Sequence, residues 1–134
     1  MVLERIRPFV QLVAVDDSRG LCPSGWHVPT DGEWIVMTNF LGGESVAGGE
    51  MKTTYGWGDG GNGTNSSGFS GLPGGYRSAD GYFSSAGYFG SWWSSSPNGS
   101  DAWNRYLYSS DEGVDRDNSN PQDGFSVRCV RDAE

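Results

Sequence analysis

The chain is short of the side chains that most often carry out chemistry. Of its 134 residues one is histidine and two are cysteine. Cys22 and Cys129 form no CxxC pair, and with His27 they are too few for a structural zinc site. An enzyme more often shows a compact cluster of His, Cys, Lys or paired acids, so catalysis is not expected. Basic residues are scarce too. The 9 Lys+Arg against 17 Asp+Glu give a net charge of −8, the reverse of the basic footprint of a nucleic-acid binder, so nucleic acid is not an expected partner. No apolar run approaches the ~20 residues of a membrane helix, so no direct membrane insertion is expected. Nor do residues 1–20 read as a signal peptide: Val13-Ala14-Val15 is too short an apolar core, and Asp16-Asp17 follows where a small-residue cleavage site would stand.

What the chain has in quantity is glycine and aromatic residues: 22 Gly, with 6 Trp, 6 Tyr and 6 Phe. Hydrophobic residues make up only 35%, so the core is expected to rest on a few large aromatics, with much backbone in loops. The steady supply of rings argues against disorder. The length favours a single domain over residues 1–134, large enough to bury a core without a metal. Two readings of the cysteines are open. They are either two buried free thiols or one disulfide tying the start of the domain to its last strand, which would indicate an oxidising compartment.

Residues 8–15 read as an N-terminal strand, with Phe9, Val13 and Val15 on one face and Gln11 interrupting it. Thr30 followed by Glu33 is a capping-box signature, and Trp34, Met37, Thr38 and Leu41 then recur at helical spacing. A helix is therefore expected over residues 31–41, ended by Gly42-Gly43. A second short helix is expected within 44–52. Residues 56–70 form a loop whose Asp59, Asn62 and Asn65 have two open readings, as calcium-ligating oxygens or as turn formers. From Leu72 onward the pattern is strands and turns: a hairpin around residues 78–81, then strands over 102–109, 113–118 and 125–131. One or two helices followed by short strands give an α+β class, with the helices grouped on one side of a twisted antiparallel sheet.

Strand alternation divides the C-terminal third. In residues 102–109, Trp103, Arg105 and Leu107 share one face, and Asn104, Tyr106 and Tyr108 the other. Packing Trp103 and Leu107 into the core with Phe125 and Val127 turns Asn104, Tyr106 and Tyr108 outward. Tyrosines beside small polar residues suit recognition, because Tyr offers a large contact area at low entropy cost. A solvated strand whose tyrosines pack on neighbouring loops is the competing reading.

The run Cys22-Pro23-Ser24-Gly25-Trp26-His27-Val28-Pro29-Thr30-Asp31-Gly32-Glu33-Trp34 resembles the opening motif of the Fibrobacter succinogenes major paralogous domain. So do Ala47-Gly48-Gly49-Glu50-Met51-Lys52, residues 65–77, Trp92-Trp93-Ser94-Ser95 and residues 124–132, in order, over about residues 21–132; residues 1–20 fall outside the likeness. The resemblance implies a C-type-lectin-like fold, related to formylglycine-generating-enzyme domains. It further implies kinship with the variable proteins of diversity-generating retroelements, in which an error-prone reverse transcriptase rewrites template adenines. Asn codons so altered yield Tyr, Ser, Asp and Gly, the residue types that fill positions 104–123 between Trp103, Arg105, Leu107, Val114 and Arg116.

On that basis the variable region is expected within residues 91–132. The candidate ligand-binding residues are Asn104, Tyr106, Tyr108, Ser109, Ser110, Asp111, Asp115, Asp117, Asn118, Ser119, Asn120 and Asp123. The expected partner is a protein or surface ligand, bound without catalysis by a protein displayed extracellularly or on a cell or virion surface. An undiversified glycan-binding or structural module, with calcium as its possible ion, is the alternative. A formylglycine-generating oxidase is a weaker one, because it needs a reactive thiol where Cys129 sits on an apolar strand face beside its expected disulfide partner Cys22. His27 is expected to be structural.

Overall fold

A computed structural model describes residues 3–133, with side chains from residue 9 onward. In chain order the elements are β1 (Leu3–Val10), α1 (Leu12–Val15), β2 (Trp26–His27), α2 (Asp31–Phe40), α3 (Ala47–Met51), β3 (Tyr76–Arg77), β4 (Phe83–Ser84), β5 (Phe89–Asn98), β6 (Asp101–Tyr108), β7 (Asp115–Ser119) and β8 (Phe125–Arg131). The main sheet runs β1-β8-β5-β6-β7, with β2 also on β8, and β3 and β4 form a separate hairpin. This is an α+β chain with few helices, as the sequence predicts. The sheet is antiparallel with one exception: β5 and β8 pair in parallel at Trp92 and Ser126.

The α2 helix starts where the capping residues put it. Thr30 Oγ1 accepts from the Glu33 backbone N–H, and Glu33 Oε1 accepts from the Thr30 N–H at 3.1 Å. Two otherwise unpaired donors of the first turn are thereby satisfied. Gly42 and Gly43 both have positive φ, and the Gly43 N–H reaches the Thr38 carbonyl at 2.8 Å, the wide loop that closes a helix through glycine. The second helix is confined to residues 47–51 and carries Gly48 for a steric reason: a Cβ there would collide with the carbonyl of Gly113.

Adjacent tryptophans on β5 point to opposite faces, so the sheet has a core on each side. Trp92 joins Trp34, Leu41, Ala47, Met51, Trp57, Phe69, Leu107 and Val114. Trp93 joins Val10, Leu12, Val28, Ala102, Phe125 and Val127, and its Nε1 donates to the Val10 carbonyl at 2.7 Å. The single core expected around Leu107, Phe125 and Val127 is thus two. Trp103, expected inside, joins neither core and is only partly buried, its ring covered by the Arg116 guanidinium at 3.5 Å.

The N-terminal segment also departs from expectation. The strand ends at Val10 and residues 12–15 coil into α1. Phe9 adopts a positive φ of 58°, and the turn that follows lets Val10 and Leu12 both enter the second core while Val13 stays 73% exposed. Continuous alternation would have placed Val13 beside Phe9 instead. A disulfide joins Cys22 to Cys129 across 107 residues. Because Cys129 lies on β8 between β1 and β5, the bond fastens the segment after α1 to the middle of the sheet.

Candidate functional site

The strand pairs β5–β6 and β6–β7 assemble a face from residues distant in sequence. On β6, Asn104, Tyr106 and Tyr108 point the same way. Their neighbours across the ladders are Asp117 opposite Asn104, Asp115 opposite Tyr106, and Phe89 opposite Tyr108. Together with the β3–β4 hairpin and the turn before β8 they enclose an open concavity of about 340 Å³. It is lined by Tyr76, Ser85, Phe89, Asn104, Tyr106, Tyr108, Asp117, Ser119, Asp123 and Phe125. The rings form one continuous cluster around Phe89, whose centroid lies 5.4 Å from Tyr76, 5.4 Å from Tyr106 and 5.2 Å from Tyr108.

Depth varies along β6. Tyr108 is 39% exposed at the rim, Tyr106 is half-buried, and Asn104 is fully buried on the floor. The outward position expected for Asn104 is therefore corrected: it shares the face of the tyrosines but is covered. Its Nδ2 donates to Ser119 Oγ at 2.7 Å, while its Oδ1 has no hydrogen-bond partner among the described residues.

Charge on this face is negative. Burial, with Asp115 and Asp117 nearby, pushes the Tyr106 phenol up to about 12, and the same causes raise Tyr108. Both therefore remain neutral hydroxyls able to donate. Burial and neighbouring acids likewise raise the carboxyls of Asp115 and Asp123. Among the described residues lining the concavity, none is basic.

The reverse side of β6 and β7 holds the frame. Asp31, on the first turn of α2, accepts from Arg105 Nη1 at 2.7 Å and from Arg116 Nη2 at 2.8 Å. Arg105 is 1% exposed, and Arg116 in turn covers Trp103. The two guanidiniums, Arg116 foremost, hold the Asp31 carboxyl below its usual range despite partial burial. The turn after β6 is held from below. Lys52 Nζ donates to the carbonyls of Tyr108 at 3.0 Å and Asp111 at 2.8 Å. The Ser109 N–H reaches the Tyr88 carbonyl, Gly49 N–H that of Glu112, and Val114 N–H that of Glu44. Gly61 sits so close under Ser109 that a Cβ would overlap its backbone.

Of the residues the sequence singles out, the concavity brings together Asn104, Tyr106, Tyr108, Asp117, Ser119 and Asp123. Asp115 stands beside them across from Tyr106. Ser109, Ser110 and Asp111 form the adjoining turn, where Asp111 Oδ1 accepts from the Gly113 N–H. Asn118 falls on the reverse face of β7 and donates to Asp101 Oδ2 at 3.0 Å. Asn120 makes a turn, its Oδ1 accepting from the Gln122 N–H. Sequence reasoning named Arg105 as a fixed residue but missed its partner Asp31 and the support Lys52. The signal for Lys52 was its being the only lysine in the sequence.

In the loop at 56–70, Asn62 Oδ1 accepts from the Trp57 N–H and Asn65 Oδ1 from the Ser70 N–H, so these oxygens act as turn formers. Among the described residues no group of three or more His, Cys, Asp or Glu is placed to hold a metal. His27 joins Asp132 Oδ1 at 2.6 Å through Nδ1 and Glu33 Oε1 at 2.8 Å through Nε2. It bridges the residue after β8 to the start of α2, and its pKa is raised by those two carboxylates, Asp132 foremost.

No curated protein and no solved structure matches the chain. The family model of the Fibrobacter succinogenes major domain matches residues 7–131, a span that takes in the upstream segment 7–20 as well as the motifs from Cys22 to Arg131. On that match the chain belongs to the Fibrobacter succinogenes major domain family.

Proposed function

We propose that this protein is a non-catalytic binding module of C-type-lectin type whose concave face, built on β5, β6 and β7, takes a protein or surface ligand. We read it further as a variable protein of a diversity-generating retroelement. The observation that carries this reading is the segregation of residue types by face. Asn104, Tyr106, Tyr108, Asp115, Asp117 and Ser119, all types reached from Asn codons altered at adenine, share the concave side, with Asn118 the exception on the reverse of β7. Trp103, which no adenine change of an Asn codon yields, stands with Arg105 and Arg116 in the stacked and ion-paired frame on the other. A surface meant to vary needs this separation, because side chains that fix the fold cannot be the ones exchanged. Tyrosine at the rim and on the slope supplies contact area with a polar tip.

The test is a display library randomised at Tyr108, Ser109, Ser110, Asp115, Asp117 and Ser119. Most members should fold with the Cys22–Cys129 bond intact, and selection on immobilised proteins should enrich binders. A matched library at Trp103, Arg105 and Arg116 should mostly fail to fold. Equal collapse of both libraries would sink the reading of the face. The diversification claim is separately checked in the neighbouring DNA, where a reverse-transcriptase gene and a near-copy of the region encoding residues 91–132, differing only at adenines, should be found.

A further inference from the structure

The concavity has a chemical preference of its own. Its floor is the Asn104 amide, fully buried, whose Oδ1 accepts from nothing among the described residues. A buried acceptor left unpaired is costly, so a ligand donor reaching it gains more than one at an exposed carbonyl. Two carboxylates, Asp117 and Asp123, line the same space, and Asp115 stands at its edge. The walls are aromatic faces and edges: Phe89, Tyr106 and Tyr108, with Tyr106 and Tyr108 centroids 5.3 Å apart. Among the described residues no lysine or arginine lines the cavity to neutralise the acids.

Acceptors on the floor, anionic charge at the side and aromatic walls together describe a receptor for a planar cation. We propose that, on the binding face described above, this concavity takes the guanidinium of an arginine side chain presented by a partner protein.

A guanidinium fits better than an ammonium for two reasons. It carries five N–H donors in a fixed plane, enough to serve Asn104 Oδ1 and a carboxylate at once, and it lies flat on aromatic rings. Among the described residues three arginines stack in this way, Arg116 over Trp103 at 3.5 Å, Arg128 over Phe69 at 4.3 Å and Arg131 over Trp26 at 5.4 Å. An anion in this space would meet Asp117 and Asp123. The carboxylates therefore select the cation.

The test is an NMR titration of the intact, disulfide-bonded, ¹⁵N-labelled protein with three capped amino acids: Nα-acetyl-arginine amide, Nα-acetyl-lysine amide, and Nα-acetyl-citrulline amide, the uncharged near-isostere of the first. The arginine probe should give saturable shifts at the Asn104 side-chain N–H₂ and along β6 and β7, with a dissociation constant on the order of mM. The lysine probe should bind more weakly and citrulline at least about tenfold more weakly, a difference of roughly 1.4 kcal/mol. Asp117→Asn with Asp123→Asn should weaken the arginine probe by a similar factor while leaving the spectrum dispersed. Binding of citrulline equal to that of arginine would overturn the proposal, and so would the absence of saturable shifts with arginine. Neither result touches the reading of the face as a binding face, which the display libraries decide.

Discussion

Replacing Asp31 with Asn tests the frame that carries the concave face. The Asp31 carboxylate is the shared partner of two guanidiniums, bonded to Arg105 at 2.7 Å and to Arg116 at 2.8 Å. The two contacts differ in weight. Arg116 has a side chain 34% exposed, so its pairing is screened and worth about 0.2–1 kcal/mol. Arg105 is 1% exposed; without the carboxylate its positive charge stays buried with only two weaker contacts, the carbonyls of Asn104 at 3.2 Å and Asp31 at 3.4 Å. Removing one partner of a buried pair costs about 3–5 kcal/mol. Asn keeps a carbonyl oxygen that Arg105 can still use, so the lower end applies, and a loss of about 3 kcal/mol is expected. For a domain of this size that is a fall in Tm of roughly 10 °C.

Asp31→Asn with Arg105→Met should recover much of the loss, because no buried charge then remains without its counter-charge. The pH dependence supplies an independent check. The folded pKa of Asp31 is depressed, so its contribution is fully present above the unfolded value of about 3.9 and disappears as pH falls through the folded value. The stability gap between wild type and Asp31→Asn should hold from neutral pH to about pH 5 and close below about pH 4. Denaturant unfolding at several pH values measures it. A loss under about 1 kcal/mol at pH 7, or a gap that does not change on acidification, would refute the reasoning.

Three further outcomes are expected. Unfolding the protein without reductant should expose no titratable thiol, and Cys22→Ser with Cys129→Ser should cost roughly 2–5 kcal/mol, since the bond closes a loop of 107 residues. Gly48→Ala should destabilise by about 1–3 kcal/mol, and the amide shifts should concentrate at residues 109–114, because the new methyl meets the backbone of Glu112 and Gly113. His27, whose folded pKa is raised by Asp132 and then Glu33, adds stability that is complete below its unfolded value of about 6.5 and is lost as pH rises through the folded one; His27→Gln should flatten the stability profile over that window.

Local signals in the sequence carried far. Thr30 and Glu33 are close enough in the chain for a capping box to be read directly, and Gly42-Gly43 marks the stop for the same reason. Alternation on β6 correctly put Asn104, Tyr106 and Tyr108 on one face, because a strand fixes side-chain direction without reference to its neighbours. Depth was not legible. Asn104 is covered because Ser119 and Asp117 arrive from β7, and Asn118 is turned away by the register that sets it opposite Trp103. The division into two cores depends on β8 entering between β1 and β5, a long-range event that no window of residues records. Alternation sets Arg105 on the inward face with Trp103 and Leu107, but its counter-charge was not legible, because Asp31 lies 74 positions away. At the N-terminus the alternating pattern was real, but the need to bury both Val10 and Leu12 outweighed it.

The turn that follows Tyr108 is held at Tyr108 and Asp111 by Lys52, at Ser109 by Tyr88, at Glu112 by Gly49 and at Val114 by Glu44, and every one of these bonds grips a main-chain carbonyl or N–H of the turn. Main-chain atoms are the same in every amino acid except proline. A fastening made only to them is blind to spelling: Ser109 and Ser110 can be rewritten to other residues and the anchorage stays. On the proposed reading of this face as a varied one, the lone lysine would be the clamp that holds the turn whichever side chains stand at 109 and 110, from a position outside the varied segment.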